Sequence, residues 1–489
     1  MLNKIKALAK ASQELEPNQE ARASFRKQVI AHSENFLENI EESPAYVLTA
    51  DQGIGLLESP LQETGITMQT ALDLVGHNVD RPGLNPASGG HLGYIPGGGI
   101  YLSALGDYLA DITNRYAGIF FPNPGAVRME NMMIRWMAQL VGYPKTAAGT
   151  LLSGGSLANL TCIVTARDAQ GIRAREVERA VIYLTTQAHH CITKSLRIAG
   201  LGEAIVRYVP LDPHFRMDSK ALAKLVETDL AQGLKPFLIV AAAGTTDTGA
   251  VDPIDQIADI AQAHNIWLHV DAAYGGFFLL CEEGRKIITG LHRSDSIVMD
   301  PHKGLFLPYG TGAAIVKDGK RLAESHHYTA NYLQDARKYD GEMSPADLSP
   351  ELTRHFRGLR MWLPLKVHGL APFRASIEEK LWLSRWFREQ LMEIPNMEVG
   401  PFPDLSVVLY RYLPSTGDAN QFNEKLTQRI HEDGRIFLSS TKIDGIFYLR
   451  LACLSFRTHL HTLQQCLQMI QDCIQQVQQE TLEEAQNGK

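Results

Sequence analysis

The chain has little of what marks a secreted, membrane-spanning or nucleic-acid-binding protein. Its 489 residues include six cysteines with no Cys-x-x-Cys pair, so we predict free thiols rather than a disulfide framework. No apolar run approaches the roughly 18 residues that a membrane span needs. No block of lysine and arginine occurs, and 47 basic against 54 acidic residues give a net charge of −7. These features give no reason to expect nucleic acid or a membrane as partner.

The N-terminus, although basic and amphipathic, has no apolar core followed by a cleavage site, so it does not resemble a signal peptide. We therefore expect a cytoplasmic protein. The length is sufficient for two or three domains. We predict a helical N-terminal segment (1–88), a large domain (89–370) and a small α+β C-terminal domain (371–489). In the last of these, strand patterns lie near 397–399, 406–412, 436–440 and 447–452, with helical patterns around 418–433 and 460–482.

Between about residues 150 and 316, apolar strand patterns alternate with amphipathic helix patterns. The strand patterns occupy 181–184, 205–209, 236–243, 266–270, 296–299 and 312–316. This alternation predicts an α/β domain with a mostly parallel sheet. Ligands of such sheets bind beyond the carboxyl ends of the strands. Gly155, His189, Thr246, Asp271 and Lys303 all come just after predicted strands, which places a site there.

An acid and a lysine in this region suggest a particular chemistry. Asp271 closes one apolar run, and Lys303 follows the next run about thirty residues later. A lysine can hold an aldehyde as a Schiff base, and an acid can keep a pyridine ring nitrogen protonated, so the ring draws in electrons. The pair therefore predicts a Schiff-base cofactor enzyme. The histidines lack further ligands at metal-site spacing, so no metal is implied.

A glycine turn at Ser153-Gly-Gly-Ser156 predicts an anion site. It follows a short apolar run and precedes an amphipathic helix, and Ser156 fits the N-cap position. Backbone N–H groups and the helix dipole attract a phosphate at such a helix start. The turn does not end in Gly-Lys-Ser/Thr, which argues against a nucleotide P-loop. We predict a phosphate cup at Gly155 and Ser156.

Two motifs resemble those of a known family. His-Val-Asp-Ala-Ala-Tyr-Gly-Gly (269–276) and Asp-Pro-His-Lys (300–303) are similar to motifs of the group II pyridoxal-phosphate (PLP) amino-acid decarboxylases, and a third similarity begins at Arg354. The resemblance implies PLP fold type I, the aspartate-aminotransferase-like architecture. It also implies that PLP is bound through Lys303.

The resemblance extends to the surroundings of the cofactor. It implies that Asp271 pairs with the pyridine nitrogen, that His189 stacks on the ring and that Thr246 lies beside it. His190 is a weaker candidate for the stacking residue. By the same resemblance the approach to Lys303 is lined by Ser296, Asp300 and His302.

The activity implied is decarboxylation of an L-amino acid to its amine and carbon dioxide. An acid must then protonate Cα, and the resemblance implies a tyrosine on a loop, for which Tyr339 is our choice over Tyr328 and Tyr332. The family also implies a homodimer in which each site is completed by the partner's loop.

Two features of the sequence resemble branches of the family that act on different substrates. Tyr274 is similar to the aromatic branch, whereas the stretch from Ala330 to Gln334 is similar to the glutamate, cysteine-sulfinate and diaminobutyrate branch. We expect an aromatic substrate. The alternatives are an acidic or diamino substrate, a carbonyl-forming deaminase or aminotransferase, and a non-catalytic homologue.

Overall fold

The computed structural model describes residues 1–50, 52–327 and 342–487. The helices are α1 (Leu2–Ala11), α2 (Gln19–Glu38), α3 (Met68–Val75), α4 (Tyr101–Thr113), α5 (Pro124–Val141), α6 (Gly155–Ala169), α7 (Cys191–Ile198), α8 (Ser219–Ala231), α9 (Ile254–Ala263), α10 (Glu282–Ile287), α11 (Pro301–Gly304), α12 (Gly319–His326), α13 (Arg357–His368), α14 (Ala371–Met392), α15 (Ala419–Asp433) and α16 (Leu460–Asn487). The strands are β1 (Tyr46–Val47), β2 (Gly83–Leu84), β3 (Ala148–Leu152), β4 (Ala180–Leu184), β5 (Ile205–Tyr208), β6 (Lys235–Ala242), β7 (Trp267–Asp271), β8 (Ser296–Met299), β9 (Gly312–Val316), β10 (Met397–Val399), β11 (Val407–Tyr412), β12 (Ser439–Ile443) and β13 (Ile446–Ala452).

A seven-stranded sheet in the order β3-β9-β8-β7-β6-β4-β5 forms the centre of the molecule. The four pairings from β8 through β7, β6 and β4 to β5 are parallel. Strand β9 runs antiparallel to both β3 and β8, so β3 points the same way as β8. The mostly parallel α/β sheet predicted from the sequence is therefore confirmed. Six of the seven strands direct their carboxyl ends to one edge.

Both faces of the sheet are covered, which explains why its strands read as continuous apolar runs. Residues 238–241 of β6 alternate between two clusters. Ile239 packs on one face with Met137 of α5 and Ile257 of α9. Leu238 packs on the other face with Ile163 of α6. A three-layer arrangement results, and it holds the carboxyl edge of the sheet in place.

The C-terminal part forms a second sheet in the order β10-β11-β13-β12, and all its pairings are antiparallel. Helices α14, α15 and α16 bury their apolar faces against it in a separate core. This is the small α+β unit expected at the C-terminus. The boundaries placed at 88 and 370 stay a prediction.

The N-terminal helices make little core of their own. Helices α1, α2 and α3 contain no buried residue, and β1 pairs with β2 in a two-stranded sheet. Within the described ranges, none of the helices combines the length and the apolar character that crossing a bilayer requires.

Candidate active site

A cavity of about 370 Å³ lies at the carboxyl edge of the central sheet. Most of the residues predicted for the site line it together: Gly155, Ser156, His189, Thr246, Asp271, Asp300, His302 and Lys303. They come from segments that follow β3, β4, β6, β7 and β8, so the common direction of these strands brings them to one place. Tyr328, Tyr332 and Tyr339 lie outside the described residues.

The start of α6 forms one wall of the cavity. Gly154, not Ser156, is the N-cap residue, which corrects the sequence prediction, and Ser156 lies in the first turn. First-turn N–H groups have no partner within a helix, so they are available to an anion. A Cβ atom at Gly155 would lie 2.7 Å from Asp300 Oδ2. Glycine is therefore required for this helix start to lie so close to the lysine-bearing segment.

Asp271 is held by a chain of hydrogen bonds from behind the cavity. Its Oδ2 accepts from Asn159 Nδ2 at 3.1 Å, and Asn159 Oδ1 lies 2.7 Å from His269 Nε2. His269 Nδ1 lies 2.8 Å from Ser296 Oγ, which accepts from Trp267 Nε1 at 2.9 Å. Because the amide nitrogen donates to Asp271, the amide oxygen must accept from His269. All the donors therefore point toward the carboxylate.

The histidine of this chain is neutral. Burial lowers the pKa of His269 to about 4. With its proton on Nε2, the ring donates to Asn159 and accepts the Ser296 hydroxyl proton on Nδ1. This neutral chain of hydrogen bonds orients the Asp271 carboxylate without placing a second charge beside it.

Ser296 does not lie where the sequence prediction put it. It opens β8 opposite His269 and is fully buried, so it supports the Asp271 chain instead of lining the approach to Lys303. Asn159 and His269 were not predicted as site residues, although a signal existed. His269 precedes Asp271 by two positions on one strand, so both side chains point to the same face.

Lys303 lies beside a buried acid. Lys303 Nζ is 3.5 Å from Asp300 Oδ2, and His302 Nε2 is 3.8 Å from the same oxygen. Burial raises the pKa of Asp300, while Lys303 and His302 oppose that rise. His302 Nδ1 donates to the Thr311 carbonyl at 2.6 Å, and burial lowers the pKa of His302, so its ring is neutral.

The two adjacent histidines differ in position. His189 lines the cavity, whereas His190 is exposed. Burial lowers the pKa of His189, although nearby Asp271 acts in the opposite direction. Its Nδ1 accepts from the Cys191 N–H at 3.2 Å, so the ring is neutral with its proton on Nε2. A neutral ring at this position can lie against an aromatic cofactor without adding charge.

A second cavity of about 300 Å³ adjoins the first, and His302 and Tyr309 line both. Its other lining residues are Phe36, Val79, Asp80, Leu84, Asn85, Pro86, Ala87, Gly97, Gly98, Gly99, Leu307 and Pro308. A Cβ atom at Gly97 would lie 2.1 Å from the His302 carbonyl oxygen. The glycine-rich loop of residues 85–99 thus contacts the lysine-bearing segment directly.

The first cavity has the chemistry that PLP requires. The α6 start offers N–H groups to a phosphate, Asp271 offers a hydrogen-bonded carboxylate to a ring nitrogen, and Lys303 offers an amine to an aldehyde. These three groups match the three polar ends of the cofactor.

Comparison with known proteins agrees with this arrangement. Residues 90–413 match the family model described as the pyridoxal-dependent decarboxylase conserved domain. The chain is 32% identical to an aromatic-L-amino-acid decarboxylase of Bacillus atrophaeus over 426 residues, which cover 86% of this chain and 88% of the relative. A tryptophan decarboxylase of Oryza sativa is 28% identical over 85% of this chain and 87% of its own length. The structure of Oryza sativa TDC with PLP and tryptamine matches 94% of this chain and 99% of its own, with a TM-score of 0.89 and 24% identity.

Proposed function

Since the chain belongs to the pyridoxal-dependent decarboxylase family and is a PLP-dependent amino-acid decarboxylase, we propose that its substrate is an aromatic L-amino acid. The observation that carries the proposal is the second cavity beside His302. Apolar side chains, among them Phe36, Val79 and Leu307, supply much of its lining. Pockets of this kind suit a flat apolar ring.

Charge in the two cavities argues against an acidic side chain on the substrate. Among the described residues that line them, Lys303 is the one lysine or arginine, and Asp80 adds negative charge to the second cavity. An acidic substrate would need a cationic partner for its second carboxylate. We therefore place glutamate and cysteine sulfinate behind the aromatic amino acids.

We assign the site residues as follows. Gly155 and Ser156 bind the phosphate, Asp271 pairs with the pyridine nitrogen, and Lys303 binds the aldehyde carbon. The further residues that contact the cofactor are His189, Thr246, Asp300 and His302. PLP, when bound, supplies the electron sink for the pair left on Cα as carbon dioxide departs. Asp300 Oδ2 lies 3.5 Å from Lys303 Nζ, so Asp300 is the acid placed to interact with that amine.

Incubation with the common L-amino acids, with amine products measured by mass, tests the substrate. We expect amines from tryptophan, tyrosine or phenylalanine and none from Lys303→Ala. Production of amine only from glutamate, cysteine sulfinate or diaminobutyrate would overturn the aromatic assignment. Borohydride reduction followed by peptide mapping tests the lysine, and label on any lysine other than Lys303 would contradict its role.

A matched pair of variants tests whether the second cavity binds the side chain of the substrate. Val79→Arg places a charge in the second cavity, whereas Val75→Arg places it one turn earlier on a residue that does not line the cavity. Both positions are exposed enough to accept arginine, at 55% and 38%. We expect Val79→Arg to raise the KM for the aromatic substrate and Val75→Arg to leave it unchanged. Equal effects would place the pocket elsewhere.

Tyr339 is our proposed proton donor to Cα, by similarity to the family alone. Protonation at Cα gives the amine, whereas protonation at the cofactor carbon would give, after hydrolysis by water, an aldehyde, with the amino group kept by the cofactor. We expect Tyr339→Phe to increase the share of aldehyde, while Tyr332→Phe and Tyr328→Phe do not. Unchanged amine output from Tyr339→Phe would remove it from the mechanism.

A homodimer is supported by the N-terminal helices. They leave apolar side chains uncovered, including Phe25, Val29 and Ile30, each at least 40% exposed. Such a surface calls for a partner. Light scattering on the active protein should give twice the mass of the chain, and a monomer with full activity would refute the proposal.

We also propose a cytoplasmic location, which the six buried free cysteines support.

A further inference from the structure

One arginine of the C-terminal sheet reaches into the wall of the cofactor cavity. Arg450 in β13 is only 3% exposed. Its Nη2 donates to the carbonyl oxygens of Thr246 at 2.6 Å and Tyr94 at 3.0 Å, and its Nε donates to the Asp247 carbonyl at 3.1 Å. Its Nη1 donates to Ser439 Oγ at 2.7 Å. A single guanidinium thus joins the C-terminal sheet to two separate loops.

The loop that Arg450 holds is part of the first cavity. Thr246 lines this cavity, and so do its neighbours Gly244 and Thr245. Within the loop, Thr245 N–H donates to the Ala250 carbonyl and Gly249 N–H to the Thr245 carbonyl. The carbonyls of the two residues at its tip take their hydrogen bonds from Arg450 instead. The tip is therefore fixed from outside the large domain.

A second arginine, seven residues later, reaches the wall of the other cavity. Arg457 Nη1 donates to the carbonyl oxygens of Gly98 at 2.7 Å and Ala87 at 3.1 Å. Both of these residues line the second cavity. The Arg457 guanidinium lies 4.4 Å from the centre of the Phe456 ring, which holds it over the loop.

We propose that Arg450 and Arg457 are positioning residues, and that Arg450 sets the cofactor wall at Thr246 whereas Arg457 sets the amino-acid wall at Gly98. The division of roles rests on the proposed function, because it assigns the first cavity to PLP and the second to the substrate side chain. Neither arginine lines either cavity. Each acts through backbone carbonyls of the loop that does.

The chemistry of arginine suits this role. A planar guanidinium carries five N–H donors in a fixed fork, so it can hold carbonyls from several segments at once. Burial lowers the pKa of both groups, from a reference value far above neutral pH. Removal of either guanidinium leaves buried carbonyl oxygens without hydrogen-bond donors. The loops must then shift so that water can donate to these oxygens.

Three isolated substitutions test the proposal: Arg450→Met, Arg457→Met and, as control, Arg411→Met. Arg411 lies on the neighbouring strand β11 and pairs with Glu398 at 2.8 Å inside the C-terminal sheet, away from both loops. Titration of each apo-protein with PLP, followed by tryptophan fluorescence, gives the cofactor Kd. We expect Arg450→Met to raise this Kd about tenfold or more and the other two to change it less than about twofold.

The role of Arg457 is tested by the KM for the amino-acid substrate, which is first identified by its amine product. We expect Arg457→Met to raise KM about fivefold or more at saturating PLP, with the cofactor Kd unchanged, and Arg411→Met to leave KM unaltered. Arg450→Lys keeps the charge but not the fork, and we expect its PLP Kd to stay raised. Full recovery in Arg450→Lys, or equal cofactor Kd values for all three methionine variants, would overturn the assignment.

Hydrogen exchange on the ligand-free proteins provides a readout that needs no substrate. Arg450→Met should speed exchange in residues 244–249 and next to Tyr94, whereas Arg457→Met should speed it next to Ala87 and Gly98, with Arg411→Met changing none of these. Uniform acceleration across the C-terminal sheet would show a general structural role and reject the proposal. If no amino acid gives an amine, the proposed function fails, while the exchange and PLP measurements still decide the two arginines.

Discussion

Asn159 Nδ2 donates to Asp271 Oδ2 over 3.1 Å, while the oxygen of the same amide accepts from His269. Asn159→Ala removes this donor and leaves the His269 N–H without its acceptor. A hydrogen bond to a charged group contributes about 2 kcal/mol, so we expect PLP affinity of the apo-protein to fall about thirtyfold.

Thr161→Val is the control for this substitution. Its hydroxyl, on the same helix, donates to the Leu157 carbonyl one turn back, and among the residues that the structure describes it forms no hydrogen bond with Asp271. We expect its PLP Kd to equal that of the unchanged protein. A wild-type PLP Kd in Asn159→Ala would show that cofactor binding does not depend on the hydrogen bond from Asn159 to Asp271.

Gly97 should be intolerant of any side chain. A Cβ atom there would lie 2.1 Å from the His302 carbonyl oxygen, and backbone cannot yield as a flexible side chain can. Gly97→Ala must therefore displace the segment that carries Lys303, and displacements of about 1 Å can cost about 100-fold in rate.

Steady-state kinetics checks the Gly97 prediction, with Gly202→Ala as control because a Cβ at Gly202 meets nothing within 4 Å. We expect kcat/KM to fall about 100-fold in the first variant and to stay unchanged in the second. Full activity of Gly97→Ala would mean that the two segments do not touch in the working enzyme.

The strand ends of the large domain could be predicted because the signal is local. A short apolar run followed at once by a polar or glycine residue marks both the strand and the edge where ligands bind. Asp271, Lys303 and Gly155 were found in this way. Their common cavity follows from the direction of the strands, which alternation of helix and strand already implies.

The rest depends on contacts between distant residues. Ser296 was placed near Lys303 because it is close in sequence, but it begins β8 and lies a strand's length from the end that carries Asp300. The strand predicted at 436–440 instead forms at Ser439–Ile443. Phe437 pairs its backbone with Gly90 and Leu92 of the glycine-rich loop, a contact that no local pattern reveals.

A buried ion pair near the first cavity should be costly to break. Glu130 of α5 lies 3.1 Å from Arg354, and both side chains are at most 1% exposed. Glu130 Oε1 also accepts from Leu151 N at 2.9 Å and from Thr150 Oγ1 at 3.1 Å. Arg354→Met leaves this carboxylate buried without its cation. We expect a loss of about 3 kcal/mol in the free energy of unfolding.

The double variant Glu130→Gln with Arg354→Met measures how strongly the two charges interact with each other. It removes both charges, so we expect it to be less destabilised than Arg354→Met alone. Denaturant unfolding of the two single variants and the double variant measures the coupling. Additive losses would show that the two charges do not interact.

His91 should make the protein sensitive to acid. Its ring is 1% exposed, and within the described ranges neither ring nitrogen has a hydrogen-bond partner. Burial lowers the pKa of His91 from 6.5 to about 4. Because the folded pKa is depressed, its contribution to stability is complete above about pH 6.5 and is lost as the pH falls toward 4.

His91→Phe removes this titration and keeps a ring against Phe437, whose centroid lies 5.6 Å from that of His91. Linkage gives a loss of about 2 kcal/mol for the wild type, relative to the variant, between pH 7.5 and pH 5. Denaturant unfolding at the two pH values measures the difference. His264→Phe is the control, since His264 is exposed at the end of α9. Parallel pH profiles for the wild type and His91→Phe would mean that the His91 ring is protonated without penalty, and so reaches water in the folded protein.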